Sequence, residues 1–222
     1  MRTIEVDAGS GLTFSVLPDR GMDIGRASCR GIPLVFFDAA AEAHPAFFDP
    51  AGSEWLRGFS GGPVTTCGLS SFGAPGRDGT EDLGLHGRVA NTPAMRVADL
   101  SGWEGDDYVL RLRGTVEEGV VFGGRLRMVR TISAALGESA VRVEDEVENV
   151  GFLPSPFVIL YHINPGFPLL DSSSVLALGA TSCTPCDAHS EAGFGQRFAF
   201  EVPRGQTHTP CSGTPSSATG WR

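Results

Sequence analysis

The chain contains no lysine, because all 17 of its basic residues are arginines. This absence excludes Schiff-base catalysis and the phosphate-binding loop of nucleotide hydrolases, since both need a lysine amine. Cysteine is scarce as well, and five cysteines scattered over 222 residues do not form a disulfide framework. No apolar run approaches the length of a membrane span, and the first residues lack the apolar core of a signal peptide. We therefore expect a cytoplasmic protein that does not bind membranes.

The charge balance is acidic, with 26 acidic against 17 basic residues and a formal net charge of −9. A nucleic-acid-binding groove needs clustered positive charge, so we expect no nucleic-acid partner. Hydrophobic residues make up 41% of the chain and its mean hydropathy is +0.00, which is typical of a globular protein. The length is that of one domain, and 30 glycines with 15 prolines predict many turns.

Short strand-like segments separated by turn residues dominate the pattern. The continuous apolar run at 32–37 predicts a strand buried on both faces. Helical periodicity is confined to 53–59, where one or two turns would begin with Ser53 as the cap. The sequence therefore predicts an all-β sandwich or barrel. The predicted strands lie at 2–7, 12–17, 32–37, 108–115, 125–133, 140–149 and 155–163.

Two histidines, His86 and His162, carry the clearest chemical signal. Each lies beside glycine, asparagine or proline, and imidazole is the side chain that exchanges protons near neutral pH. Asn164 follows His162 by two residues on the same strand face, and its amide suits hydroxyl recognition. Arg88 follows His86 and could bind a ligand oxygen. If the fold brings the two rings together, they form a polar pocket for a neutral, hydroxyl-rich ligand; otherwise each is a hydrogen-bonded structural histidine.

Charged residues at two further places need an explanation. Arg20 and Asp23 lie in a glycine-containing turn after a strand, where they would contact sugar hydroxyls or form a local ion pair. Asp145 alternates with valines on the apolar face of its strand. A buried carboxylate requires partners, so we expect Asp145 to have them.

The spacing of Cys183, Cys186 and His189, followed by His208 and Cys211, is compatible with zinc. No compact ribbon pattern surrounds these residues, and the second pair lies in a segment rich in Thr, Ser, Pro and Gly. We therefore expect no metal site, and zinc stabilisation of this segment stays as the alternative.

Four motifs in this order resemble the DUF4432 branch of the aldose 1-epimerase (galactose mutarotase-like) superfamily. The resemblance extends from the start of the chain to about residue 200. The motifs are Asp-Arg-Gly-Met-Asp-Ile at 19–24, Thr-Cys-Gly-Leu at 66–69, Leu-His-Gly-Arg at 85–88 with Pro93-Ala94, and Leu-Tyr-His-Ile-Asn at 160–164 with Pro-Leu-Leu at 168–170.

The resemblance implies a galactose mutarotase-like β-supersandwich that binds a small sugar without a metal or organic cofactor. It implies that His162 protonates the ring oxygen of the sugar while a glutamate removes the anomeric proton. The ring then opens, the C1–C2 bond rotates, and closure gives the other anomer. His86 would contact the substrate, and the remaining candidate substrate-binding residues are Arg88, Asn164, Arg20 and Asp23.

Members of that family continue well beyond the equivalent of Leu170 and carry the glutamate in their last third. We therefore expect a supersandwich truncated at its C-terminal end, with an incomplete domain at 1–203 and an irregular or disordered tail at 204–222. The base is unassigned, and Glu81, Asp82 and Asp23 are conceivable substitutes. Two functions remain open: an epimerase that interconverts anomers of a free aldose, and a carbohydrate-binding module without the base.

Overall fold

The computed structural model describes residues 1–38, 43–180, 182–185 and 188–200. These residues form thirteen strands, several 3₁₀ turns and one short helix, α1 (Ala188–Gly193). The predicted tail at 204–222 lies outside the described residues. The strands are β1 (Ile4–Asp7), β2 (Leu12–Leu17), β3 (Asp23–Cys29), β4 (Ile32–Pro33), β5 (Thr65–Leu69), β6 (Gly76–Asp78), β7 (Glu81–Leu83), β8 (Met95–Asp99), β9 (Gly102–Glu104), β10 (Asp107–Gly119), β11 (Arg125–Ala135), β12 (Arg142–Asn149) and β13 (Val158–His162).

The first sheet has the order β1-β2-β3-β4, with every pair antiparallel. The predicted strand at 12–17 is confirmed as β2, but the predicted buried strand at 32–37 is wrong. Only Ile32 and Pro33 pair with β3, and Ile32 is 53% exposed. Pro33 has no backbone N–H to extend the ladder. Beyond it the amide of Leu34 donates to the carbonyl of Ala27 in β3 (3.1 Å), and Val35 and Phe37 make isolated bridges to other segments.

The second sheet has the order β12-β11-β10-β8, and β9 pairs with the other end of β10. The three long strands β10, β11 and β12 were each predicted, at 108–115, 125–133 and 140–149, and β10 and β11 extend beyond the predicted bounds. In β11 burial alternates strictly along the strand, since every second side chain points into the molecule. The inward-facing residues are Leu126, Met128, Arg130, Ile132 and Ala134.

The hydrophobic core lies between these two sheets. Phe14, Val16 and Ile24 from the first sheet belong to the same buried cluster as Val116 and Met128 from the second. Burial of apolar surface between two antiparallel sheets is the main stabilising contribution in a sandwich. The predicted all-β sandwich is thus confirmed. In the part of the chain that the structure describes, no helix is long and apolar enough to cross a bilayer.

A separate pair of strands, β5 and β13, carries the candidate site. The two strands are antiparallel, and β3 contacts β5 through a bridge between Ile24 and Val64. The helical segment predicted at 53–59 is a 3₁₀ turn at Glu54–Gly58. Ser53 precedes this turn, but its side chain makes no capping hydrogen bond.

Candidate functional site

Strand β5 brings the two histidines together by pairing with a different segment on each edge. On one edge His162 of β13 is opposite Thr65. On the other edge the amide of Gly68 donates to the carbonyl of His86 (3.1 Å), and the amide of Arg88 donates to the carbonyl of Gly68 (3.0 Å). The imidazole centroids of His86 and His162 are 6.2 Å apart with an interplanar angle of 75°. Residues 76 positions apart in the sequence therefore present adjacent rings.

The backbone at His86 is held in an uncommon conformation. His86 has φ +59° and Gly87 has φ +72°, both in the left-handed region. A Cβ atom at Gly87 would lie 2.3 Å from the carbonyl oxygen of Ser71 and 2.4 Å from that of Gly68. Only glycine fits at this position. Strained backbone at a non-glycine residue is more common at functional sites than elsewhere, and it here fixes the direction of the His86 ring.

The environment of His86 favours its neutral form. Burial lowers the pKa of His86 below its ordinary value of 6.5, and the neighbouring His162 lowers it further. The Nδ1 atom of His86 accepts a hydrogen bond from the amide of Gly73 (3.4 Å). In the neutral ring the proton is then on Nε2, which makes that atom a donor toward a ligand.

Two aromatic side chains flank the histidines. The Trp55 ring is 4.8 Å from the His86 ring in an edge-on arrangement, and the Phe59 ring is 5.0 Å from the His162 ring. Trp55 and Phe59 also stack on each other, with centroids 4.8 Å apart. The four rings therefore form a continuous aromatic group. Sequence analysis missed both Trp55 and Phe59, whose only sequence signal was their four-residue spacing in the predicted turn.

The segment that carries Trp55 is attached at both ends. The carbonyl of Gly52 accepts a hydrogen bond from the amide of Leu85 (2.8 Å). The carbonyl of Gly58 accepts a short hydrogen bond from the Arg20 guanidinium. Arg20 is only 3% exposed and also donates to the carbonyl of Ala43 (3.4 Å). Arg20 thus holds the aromatic segment from inside the protein.

Asn164 has a similar internal position behind His162. Asn164 is 8% exposed, and its side-chain amide donates to the carbonyls of Gly62 (2.9 Å) and His162 (3.0 Å). These bonds fix the end of β13. The predicted shared neighbourhood of His162 and Asn164 is present, with the Asn164 amide protons directed to the backbone.

Asp23 lies in a buried polar network centred on Arg130. Its carboxylate accepts hydrogen bonds from the amide (3.0 Å) and hydroxyl (2.6 Å) of Thr66, and from the Arg130 guanidinium (2.7 Å). Arg130 is fully buried and forms a bidentate pair with Asp145, at 2.8 and 2.7 Å. Asp23 is therefore engaged within the protein, beneath β5. The expected partners of Asp145 are found.

Tyr161 connects this network to the strand that carries His162. Its hydroxyl donates to Asp145 (2.7 Å), and burial together with the Asp145 carboxylate raises the pKa of Tyr161 to about 12. Sequence analysis did not identify Arg130, although the alternation of β11 places it among apolar residues. Arg130 lies directly opposite Asp145 across β11 and β12, so the register pairs the two charges.

Arg88 borders a cleft to which the histidine pair does not contribute. Its side chain lines a cleft of about 280 Å³ together with Glu81, Asp82, Glu118 and Ser70, and neither histidine is among the described residues that line it. Glu118 is held there by hydrogen bonds from the amides of Leu69 and Ser70. Glu81 and Asp82, two of the three conceivable substitute bases, therefore border the Arg88 cleft, and the third, Asp23, lies in the buried network.

The β5 cysteine, Cys67, offers the histidine site no reactive nucleophile. Cys67 of β5 is fully buried, and burial raises the pKa of its thiol to about 12, so it is protonated at neutral pH. Cys29, Cys67 and Cys183 are free thiols. Among the described residues no three His, Cys, Asp or Glu side chains gather as metal ligands. The alternative zinc site lies outside this range, because Cys186, the side chain of His189, His208 and Cys211 are not described.

Comparison with solved structures defines the class of fold. The structure resembles that of a Klebsiella pneumoniae protein provisionally assigned as an aldose 1-epimerase, with a TM-score of 0.80 and 26% identity over 87% of this chain. It also resembles the Slr1438 protein from Synechocystis sp. PCC 6803, with a TM-score of 0.51 and 19% identity over 74% of this chain. The architecture is therefore an aldose 1-epimerase-like β-sandwich.

A family model identifies the chain more closely. The domain of unknown function DUF4432 matches residues 1–211, so the chain belongs to the DUF4432 family. No curated protein matches the sequence. The chain covers 51% of the Klebsiella protein and 53% of the Synechocystis protein, so it spans about half the length of these solved structures.

Proposed function

We propose that the histidine pair binds a small aldose and that the protein acts as an aldose 1-epimerase. The observation that carries this proposal is the 6.2 Å separation of the His86 and His162 rings on opposite edges of β5. One small ligand can reach both rings at this distance. The similarity in fold to a protein provisionally assigned as an aldose 1-epimerase supports a sugar as that ligand.

The two imidazoles have different tasks in this proposal. His162 in its protonated form donates a proton to the ring oxygen as the bond between that oxygen and C1 breaks. The anomeric hydroxyl loses its proton to a base, and the carbonyl of the open chain forms at C1. Rotation about C1–C2 and the reverse steps return both protons and give the other anomer. His86, which burial keeps neutral, donates a hydrogen bond from Nε2 to a sugar hydroxyl.

The remaining candidate residues have positioning roles or lie outside the histidine pair. Arg20 and Asn164 position the aromatic segment and the end of β13 through backbone carbonyls. Asp23 helps to hold β5 through Thr66. Arg88 is exposed and borders the cleft that neither histidine lines, so its contact with the sugar stays a prediction.

An anomer-exchange experiment tests the proposal. Freshly dissolved α-anomers of several aldoses are followed by ¹H NMR with and without the protein. We expect faster interconversion for at least one aldose, and we expect His162→Ala to reduce this acceleration by about 10²- to 10⁴-fold, since it removes the general acid. His44→Ala is the matched control, because His44 is an exposed histidine that contacts neither ring. Undiminished activity of His162→Ala would contradict the assignment.

A carbohydrate-binding module without catalysis is the second candidate. The observation that favours it is the absence of a carboxylate ion pair with either imidazole among the described residues. The same samples discriminate between the two functions. Saturable binding of an aldose by calorimetry, with interconversion at the rate of the buffer alone, would identify a binding module.

A further inference from the structure

The Trp55 indole has an unusual position among the polar groups of this protein. Trp55 is only 3% exposed, and its Nε1 donor has no hydrogen-bond partner in the described part of the chain. Buried N–H donors in native proteins are almost always paired, because an unpaired donor loses its hydration without compensation. A buried donor without a partner therefore calls for a physical explanation.

The location of Trp55 suggests that the missing partner is a ligand. Its ring lies 4.8 Å from His86 and stacks on Phe59, which in turn lies 5.0 Å from His162. The other two unpartnered buried atoms, on Asn91 and Ser155, belong to residues outside this aromatic group. The unpaired donor thus belongs to the ring that packs against His86 and that reaches His162 only through Phe59.

The surroundings of Trp55 hold it firmly enough to select a ligand. Trp55 packs with Cys67 and Leu85 in a small buried cluster separate from the main core. The turn that carries it is tied by the Gly52 carbonyl to Leu85 and by the Gly58 carbonyl to Arg20. A donor on a restrained aromatic ring loses little conformational freedom on binding, so its hydrogen bond contributes to affinity.

We infer that Trp55 is a specificity-determining residue of the histidine site. Its indole N–H donates a hydrogen bond to one hydroxyl oxygen of the bound aldose. This inference rests on the proposed sugar-binding function and specifies how the site selects among sugars. Because Trp55 is only 3% exposed and stacks on Phe59, a sugar hydroxyl reaches the indole N–H only when the Phe59 ring moves aside. An aldose without that hydroxyl leaves the donor unpaired and binds less tightly.

Calorimetric titration of wild-type protein and two variants tests the inference. The sugars are D-glucose, D-galactose, D-mannose and L-arabinose, followed by the single-deoxy derivatives of whichever binds most tightly. Trp55→Phe keeps one aromatic ring and removes the N–H together with the second ring of the indole, so we expect about 3- to 10-fold weaker binding, and the deoxy sugars separate the hydrogen bond from the lost packing. Trp103→Phe is the matched control, because Trp103 is 72% exposed and packs on Tyr108 away from the histidines; we expect unchanged affinity.

The deoxy sugars identify the hydroxyl in a double-mutant cycle. One deoxy derivative should bind wild-type protein about 3- to 10-fold less tightly than the parent sugar binds it. On the Trp55→Phe variant, the deoxy derivative and the parent sugar should bind with equal affinity. Equal affinity of wild-type protein and Trp55→Phe for the parent sugar would overturn the inference while the sugar-binding function stands. If none of the aldoses binds wild-type protein, the proposed function fails and the inference fails with it.

An NMR measurement on the wild-type protein covers the case in which Trp55→Phe does not fold. The chain has three tryptophans, so the indole N–H resonances are assigned with Trp103→Phe and Trp221→Phe and then followed during titration with the sugar that binds. We expect the Trp55 indole proton to shift progressively and to exchange more slowly with solvent in the complex. A Trp55 resonance that stays unchanged while calorimetry reports binding would overturn the inference.

Discussion

Replacement of Arg130 by methionine should destabilise the protein more than any substitution at its surface arginines. The Arg130 side chain is fully buried, and its nitrogen atoms donate five hydrogen bonds to oxygen. Asp23 and Asp145, the two carboxylates that it neutralises, are 5% and 3% exposed in their side chains. Methionine fills the space of the aliphatic chain but leaves both carboxylates buried without a positive partner.

The size of the effect follows from the loss of this partner. Removal of one member of a buried ion pair costs about 3–5 kcal/mol, because the remaining charge has lost its compensation. Domains of this size unfold with a total free energy of about 5–15 kcal/mol, so the change removes a large share of it. The corresponding decrease in Tm is about 6–20 °C.

Urea and thermal unfolding followed by circular dichroism measure this change. Arg113→Met is the matched control on the same sheet, since Arg113 is about half exposed and lies 4.0 Å from an exposed glutamate; we expect a cost of about 0–1 kcal/mol. Adding Asp23→Asn and Asp145→Asn to Arg130→Met should restore part of the lost stability. Equal stability of Arg130→Met and Arg113→Met would refute the reasoning.

Three further predictions concern the site. Burial and His162 lower the pKa of His86, so the unfolded chain binds a proton at this residue more readily than the folded protein does. The free energy of unfolding should therefore decrease as the pH drops through the ordinary value of 6.5, and His86→Asn should reduce this pH dependence in urea titrations; an unchanged dependence would contradict the shift. Gly87→Ala should lower Tm measurably, since its Cβ would meet two carbonyl oxygens, whereas Gly102→Ala, with open space around it, should not. The buried Cys67 thiol should resist a thiol reagent at about pH 8 in native protein and react after unfolding, while the half-buried Cys29 reacts in both states. Rapid modification of Cys67 in native protein would contradict its burial in β5.

Strand prediction succeeded where alternation was long. Burial alternates along the whole of β11, along most of β12 and in the middle of β10, and the sandwich follows from these strands. The run at 32–37 failed because hydrophobicity alone does not supply a ladder partner. Its large residues Ile32 and Phe36 are about half exposed in this structure.

The candidate site was only partly predictable. His86 and His162 were identified from residue type and neighbours, but no local pattern reports that β5 pairs with both of their segments. Trp55 and Phe59 were missed because aromatic residues in a short turn resemble any local packing cluster. Arg130 was missed although its position in the alternation and the unpaired-looking Asp145 both indicated a buried charge pair.

Histidine NMR during titration with an aldose tests the central claim most directly. The claim is that the His86 and His162 rings line one sugar site. We predict that the ring resonances of both histidines shift together and saturate with one dissociation constant, while those of the exposed His44 stay unchanged. Binding of the sugar with no change at either ring, or with a change at only one of them, would contradict the account.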